Sequence, residues 1–236
     1  MKSTVPIFKR EFASYFNSPI AFIYLTVFLA LSSWLFLKGF FLIGEASMRA
    51  YFGLIPWVFL FFIPAITMRL WAEEKKAGTM ELLMTLPVTD TEAVLGKFLA
   101  SFAFLVVSLA LSFVLPIVVG ALGDPDSGQI AGGYLGSVLL GGAYLAIGLF
   151  ISSLTENQIV AFIVSIVAIF GLFILGEDFV LFGMPDRVVP VLSFLGLGGH
   201  FDSVSRGVVD SRDVLYYVSV IGFFLYLNVK TIGARK

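Results

Sequence analysis

An all-α integral membrane protein is the fold class this sequence predicts, and three observations predict it. The residues are 59% hydrophobic, with a mean hydropathy of +1.00. Only 13% are charged, about half the roughly 25% usual in soluble domains. The apolar residues also gather into six runs that are apolar on every side, whereas membrane barrel strands alternate apolar and polar residues. At about 1.5 Å per residue such runs cross a hydrocarbon core of roughly 30 Å as helices. They are Ile20–Phe41, Tyr51–Met68, Phe98–Leu122, Tyr134–Ile151, Ile159–Leu175 and Val214–Val229. The last is the shortest and extends back toward Asp210.

The first nineteen residues read as an amphipathic helix on the membrane surface. Val5, Phe8, Phe12 and Tyr15 or Phe16 recur at helical spacing, while Lys2, Lys9 and Arg10 lie elsewhere, as suits attraction to anionic lipid. A solvated leader that merely supplies positive charge is the plainer alternative. Asn17-Ser18-Pro19 then breaks the chain ahead of the first span. That span is too long for a signal peptide and no small-residue cleavage site follows it, so the reading keeps it as a span.

Basic residues orient the spans. Lys2, Lys9, Arg10, Arg69, Lys75, Lys76, Lys97, Lys230, Arg235 and Lys236 fall on one side, against Lys38, Arg49, Arg187, Arg206 and Arg212 on the other. The ten belong inside and the five outside, which puts both termini in the cytoplasm.

The second connection, residues 69–97, is a charged segment in an otherwise apolar chain. Gly78-Thr79 offers a break and an N-cap for a short helix over Met80–Thr85, stopped by Leu86-Pro87. Thr89-Asp90-Thr91-Glu92 then forms a capping box for the helix climbing back into the membrane. The expected result is a cytoplasmic helical elbow presenting Glu73, Glu74, Lys75, Lys76 and Glu81. An ordinary solvated loop is the alternative.

Within the spans, Pro64 and Pro116 are expected to kink their helices. Gly132, Gly136, Ser137 and Gly141 permit close helix approach, either across a dimer seam or within one subunit. No acidic residue or histidine stands mid-span, which argues against an ion relay and hence against a secondary transporter.

The second long connection on the outer side, residues 176–212, reads as neither a plain loop nor a span. Its apolar pieces are too short to span and are broken by Pro185, Pro190 and the glycines from Gly196 to Gly199, which predicts two short non-spanning helices with Glu177, Asp178 and Arg187 near water. His200 is the only histidine, so it has no second imidazole with which to build a metal site, and a hydrogen-bonded structural role is expected. No catalytic constellation is visible, so an intramembrane enzyme has little support. The absence of cysteine excludes disulfides and thiolate metal sites, and no basic patch interleaved with aromatics points to nucleic acid.

Glu73-Glu74-Lys75-Lys76-Ala77-Gly78-Thr79-Met80-Glu81-Leu82-Leu83-Met84-Thr85-Leu86-Pro87-Val88, followed by Leu95-Gly96-Lys97-Phe98, resembles the signature of type-2 ABC exporter permeases, E-x-x-x-G-T-x-E-x-L-x-T-x-P-V with a Gly-Lys leading into the third span. The stretch from His200 through Arg206 to Asp210, continuing into Asp213–Tyr217, resembles the branch typified by gliding-motility and nitrous-oxide-reductase maturation permeases. The resemblance implies that residues 1–236 form one permease domain of six spans, set in a bacterial inner membrane as a homodimer on two ATPase subunits. On this likeness Val5, Phe8, Lys9, Arg10 and Phe12 belong to an interface helix. Glu73, Glu74, Lys75, Lys76, Gly78, Thr79, Glu81, Leu82, Leu83, Thr85 and Pro87 would contact the ATPase, and Glu177, Asp178, His200 and Arg206 would belong to an outer lid over residues 176–212. ATP and Mg would be held by the partner, since no G-x-x-x-x-G-K-[ST] loop occurs here. An extracytoplasmic auxiliary protein is a further implied partner. A mechanical or regulatory complex without ordinary export remains the alternative use of the same parts.

Overall fold

The computed structural model describes residues 4–80 and 88–234, with the backbone alone for Asp178. Among the described residues the regular structure is α-helical. The helices are α1 (Thr4–Phe16), α2 (Pro19–Ile43), α3 (Arg49–Lys76), α4 (Asp90–Leu111), α5 (Val114–Leu122), α6 (Ser127–Ser152), α7 (Gln158–Ile174), α8 (Asp178–Leu181), α9 (Val189–Leu195), α10 (Leu197–Ser205) and α11 (Ser211–Gly233). Five stretches are long and apolar enough to cross a membrane: α2, α3, α4 with α5, α6 and α11. The remaining expected span, α7, is a shorter apolar helix of 17 residues.

Helix ends follow local chemistry. Ser18 accepts from the Ile20 amide and Pro19 supplies the first turn of α2, which ends on Gly44 at φ +70°. Asp126, Asn157 and Asp210 cap α6, α7 and α11 through side-chain oxygens that accept backbone amides. Thr89 and Glu92 make the reciprocal capping box at the start of α4.

The third span departs from the single expected helix. It splits at Ser112-Phe113 into α4 and α5. Pro116 has no amide hydrogen for the Ser112 carbonyl, which accepts instead from the Leu115 amide, 3.0 Å away. The expected kink is therefore a break. In α3, both Pro56 and Pro64 lie inside the helix.

The core centres on α6, which packs against α3, α4, α7, α10 and α11. Its residues from Leu140 to Leu149 are buried without interruption. The glycine stripe makes this possible within one subunit. A Cβ on Gly132 would lie 2.6 Å from the Val204 carbonyl oxygen, and one on Gly141 would lie 2.5 Å from Leu105 Cδ2. Several buried hydroxyls are satisfied locally: Ser32, Ser101, Ser108, Ser137 and Thr67 each donate to the carbonyl four residues earlier.

The lid also differs from expectation, with three short helices, α8 to α10, in place of two. Gly196 supplies the extra division by ending α9 and starting α10 in an extended conformation at ψ 123°. Arg187 is exposed, whereas Glu177 is half-buried. A Cβ on Gly198 would lie 2.7 Å from Glu177 Oε1, so that carboxylate is tucked against α10.

Candidate functional site

The ends of α1, α3, α4 and α6 converge where most of the basic residues lie, at what we call the charged end. The charged segment does not begin its elbow at Arg69. Instead α3 continues to Lys76 with Leu70, Trp71 and Ala72 buried, and the turn comes at Ala77-Gly78. Gly78 sits at φ +69°, the left-handed region that ends helices cheaply only in glycine. The amides of Ala77 and Gly78 bond back to the Glu73 and Lys75 carbonyls, and the Thr79 hydroxyl donates to the Glu74 carbonyl at 3.3 Å.

Helix α1 docks here through a gap left by glycine. A Cβ on Gly96 would lie 2.6 Å from Ile7 Cγ2, so the bare backbone of α4 is what lets Ile7 seat. The same helix is held further along by Tyr15, stacked on Phe104 at 4.8 Å, with the Arg69 guanidinium 5.3 Å from the Tyr15 ring.

The residue after that glycine, Lys97, is only 1% exposed. Its Nζ lies 2.7 Å from Glu74 Oε1 on α3 and 3.2 Å from Glu11 Oε1 on α1, and 4.9 Å from the Trp71 ring centre. Arg10, on the exposed side, completes the group at 2.7 Å from Glu11 and 3.4 Å from Glu74. Two cations thus face two carboxylates across three helices. A buried ammonium is expensive unless paired and hydrogen-bonded, so this pairing fixes how the three helices meet. Burial pushes the Glu11 carboxyl up, but the charge of Lys97, with the hydrogen bonds and charge of Arg10 and Lys97, outweighs it and holds the group below its ordinary range.

A second set of bonds ties in α6. Ser152 Oγ accepts from the Trp71 and Ala72 amides, both at 3.2 Å, and donates to the Met68 carbonyl at 3.0 Å. A side chain thus inserts into the helical ladder of α3 one turn before the elbow. Lys75 Nζ donates to the Ser153 carbonyl beside it. Next to this junction, Lys76, Glu156, Asn157, Gln158 and Ile159 line a surface groove of about 520 Å³.

The sequence-named residues distribute unevenly over this geometry. Glu74 and Lys75 are half-buried in the junction, while Glu73, Lys76, Gly78 and Thr79 are exposed beside it. Glu81, Leu82, Leu83, Thr85 and Pro87 lie outside the described residues. On α1, Val5, Lys9 and Arg10 are exposed, and Phe8 and Phe12 are half-buried with rings stacked at 5.7 Å. In the lid, His200 Nδ1 is 2.7 Å from Asp213 Oδ1 and Nε2 is 3.0 Å from the Phe194 carbonyl, while Arg206 pairs with Asp202 at the surface. The lid groups and the charged end are separate constellations.

Sequence reasoning missed the roles of Glu11, Lys97, Trp71 and Ser152. Glu11 offered a signal, as the sole acid among the basic residues of the first nineteen. Ser152 offered none.

No curated protein matches the chain. Residues 38–197, more than half of it, match the family model described as ABC-2 family transporter protein. That family normally works with an ATPase partner. The chain is accordingly a multi-pass membrane protein that belongs to the ABC-2 transporter family.

Proposed function

We propose that this chain is the permease subunit of an ATP-driven exporter, converting the closure of separate ATPase subunits into a shift between inward- and outward-facing states. Two copies would pair as a homodimer on two ATPases in a bacterial inner membrane. The charged end and both termini would face the cytoplasm, as the ten-to-five basic bias favours. In this reading α7 is the fifth of six crossings, since 17 residues at about 1.5 Å each reach the lower limit for a span.

One observation carries the proposal: the root of the elbow is ionically joined to three helices through Lys97, Glu74 and Glu11. A displacement at the elbow's root would be passed to α1, α3 and α4 through these pairs. An ATP-bound partner that holds one position of the elbow better than another supplies the differential affinity that moves the equilibrium. The partner would bind ATP and Mg, and the elbow from Gly78 to Thr85 would seat in its cleft, with the 520 Å³ groove alongside. An extracytoplasmic auxiliary protein would act at the lid.

The test uses Leu82→Asp, which puts a charge into the expected apolar contact, and Gly78→Pro, which cannot adopt a φ of +69°. At equal membrane levels, each is expected to release the ATPase or abolish permease-stimulated ATP hydrolysis. Wild-type values for both readouts would remove the elbow from the mechanism.

A further inference from the structure

A second built feature lies at the opposite end, on the face of α11 away from the charged junction. Arg212, Leu215, Tyr216, Ser219, Val220 and Phe223 recur at helical spacing and, with Phe194 of α9, line an open groove of about 510 Å³. Leu215, Phe223 and Phe194 are 65%, 56% and 61% exposed.

The groove's walls are braced, which distinguishes it from a merely bare helix face. His200 joins them, with Nε2 on the Phe194 carbonyl of one wall and Nδ1 on Asp213 of the other. Its ring stacks on Tyr216 at 3.9 Å, and the Tyr216 hydroxyl donates to the Leu195 carbonyl at 2.6 Å. The spacing between the aromatic sides is therefore set from behind by a histidine outside the groove.

Charge stands at one end only. Arg212 is exposed, and among the described residues no carboxylate pairs with its guanidinium. The two nearest acids in sequence are engaged: Asp210 Oδ1 accepts the Arg212 amide at 2.9 Å, and Asp213 holds His200. From Arg212 to Phe223 the helix rises by roughly 16 Å at about 1.5 Å per residue, close to half of a hydrocarbon core of roughly 30 Å. A cation at the membrane boundary, above an apolar channel one leaflet deep, complements an acyl chain that carries an anionic headgroup.

We propose that this groove is a binding site for an anionic amphiphile of the lid-side leaflet, its phosphate at Arg212 and one acyl chain along Leu215 to Phe223. The site rests on the membrane placement given above but not on the coupling mechanism, so it is tested on the permease without its ATPase. Opening the lid relative to α11 would separate Phe194 from Tyr216 and dismantle the groove, which ties lipid occupancy to lid position.

The experiment measures retention of phosphatidylglycerol against phosphatidylcholine by native mass spectrometry of the purified permease released from nanodiscs containing equal amounts of both. Wild type should retain phosphatidylglycerol preferentially. Arg212→Gln should reduce that preference about fivefold, the scale expected for one basic group at a membrane surface. Val220→Trp, which fills the channel, should abolish retention of either lipid. His200→Ala keeps Arg212 but removes the brace, and should also lower the preference. Free inorganic phosphate should not displace the lipid, because the chain contributes to binding. Thermal unfolding of each variant checks that it remains folded. Equal retention of the two lipids by wild type, or an unchanged preference in folded Arg212→Gln or His200→Ala, would overturn the proposal. So would disulfide trapping of a Leu215→Cys variant to a second copy, since the occupant would then be protein.

Discussion

The charged end and the lid end are both held by polar side chains, but by different means. At the charged end a lysine that is 1% exposed draws carboxylates from two other helices, and a serine from a fourth inserts into a backbone ladder. At the lid end α9 and α10 rest on α11 through one histidine, two tyrosine hydroxyls and aromatic stacking, and while α10 is also buried against α6, much of the apolar surface of α9 and α11 stays exposed. Breaking a buried ion pair leaves an uncompensated charge, whereas separating stacked rings and single hydrogen bonds costs far less. The first arrangement joins three helices by charge, whereas the second leaves α9 held mainly by single hydrogen bonds and stacked rings beside an α10 that is buried on α6.

The comparison breaks most directly at Lys97. Lys97→Met leaves Glu11 and Glu74 with only the exposed Arg10 between them, and should cost up to about 3 kcal/mol, the low end of the range for removing one partner of a buried pair because Arg10 still bridges both carboxylates. The check is thermal unfolding in detergent, with the triple variant Lys97→Met, Glu11→Gln, Glu74→Gln recovering much of the loss. Smaller but still large is Gly96→Leu, in which Ile7 must yield to a new side chain. Overpacking of this kind costs about 1–3 kcal/mol, and here it should free α1 from α4. Protease sensitivity or spin-label mobility on α1 reads the release.

How far this junction was legible depends on the range of each interaction. The capping box at Thr89 and Glu92 lies within four residues and was readable, as was the turn at Gly78. The Lys97–Glu11 pair joins residues 86 apart, and in the sequence Lys97 stood only as one positive charge and as part of the Gly-Lys entry to the third span. Only the docking of α1 reveals that it is buried. Likewise, Pro116 signalled an irregular third span, but whether the helix bends or divides is decided by the Ser112 carbonyl finding the Leu115 amide. In the lid, proline and glycine announced short pieces but not how Gly196 would divide them. Elbow residues from Glu81 to Pro87 lie outside the described residues, so their sequence-based roles stay proposals.

Ser152→Ala sharpens the contrast at lower cost. It removes the hydroxyl that accepts from the Trp71 and Ala72 amides and donates to the Met68 carbonyl, and a typical hydrogen bond is worth about 0.5–1.5 kcal/mol. Hydrogen exchange at the end of α3 should rise while the lid is unchanged. Acid offers the mildest perturbation. Because the folded Glu11 carboxyl is held below its ordinary value, it stabilises the docked α1 above the ordinary carboxylate range, about pH 4.3, and that contribution is lost as pH falls through the depressed value. Mobility of a label on α1 should rise below that range, and Glu11→Gln should remove this component of the acid response.

The central claim is that the Lys97 junction passes the state of the ATPase into the membrane helices. The most direct measurement is permease-stimulated ATP hydrolysis by the copurified complex carrying folded Lys97→Met, beside wild type and Lys97→Arg. The account predicts that Lys97→Met still binds the ATPase, because the elbow surface is intact, but no longer stimulates it, with partial recovery in Lys97→Arg. Full wild-type stimulation by a stably inserted Lys97→Met complex would contradict it.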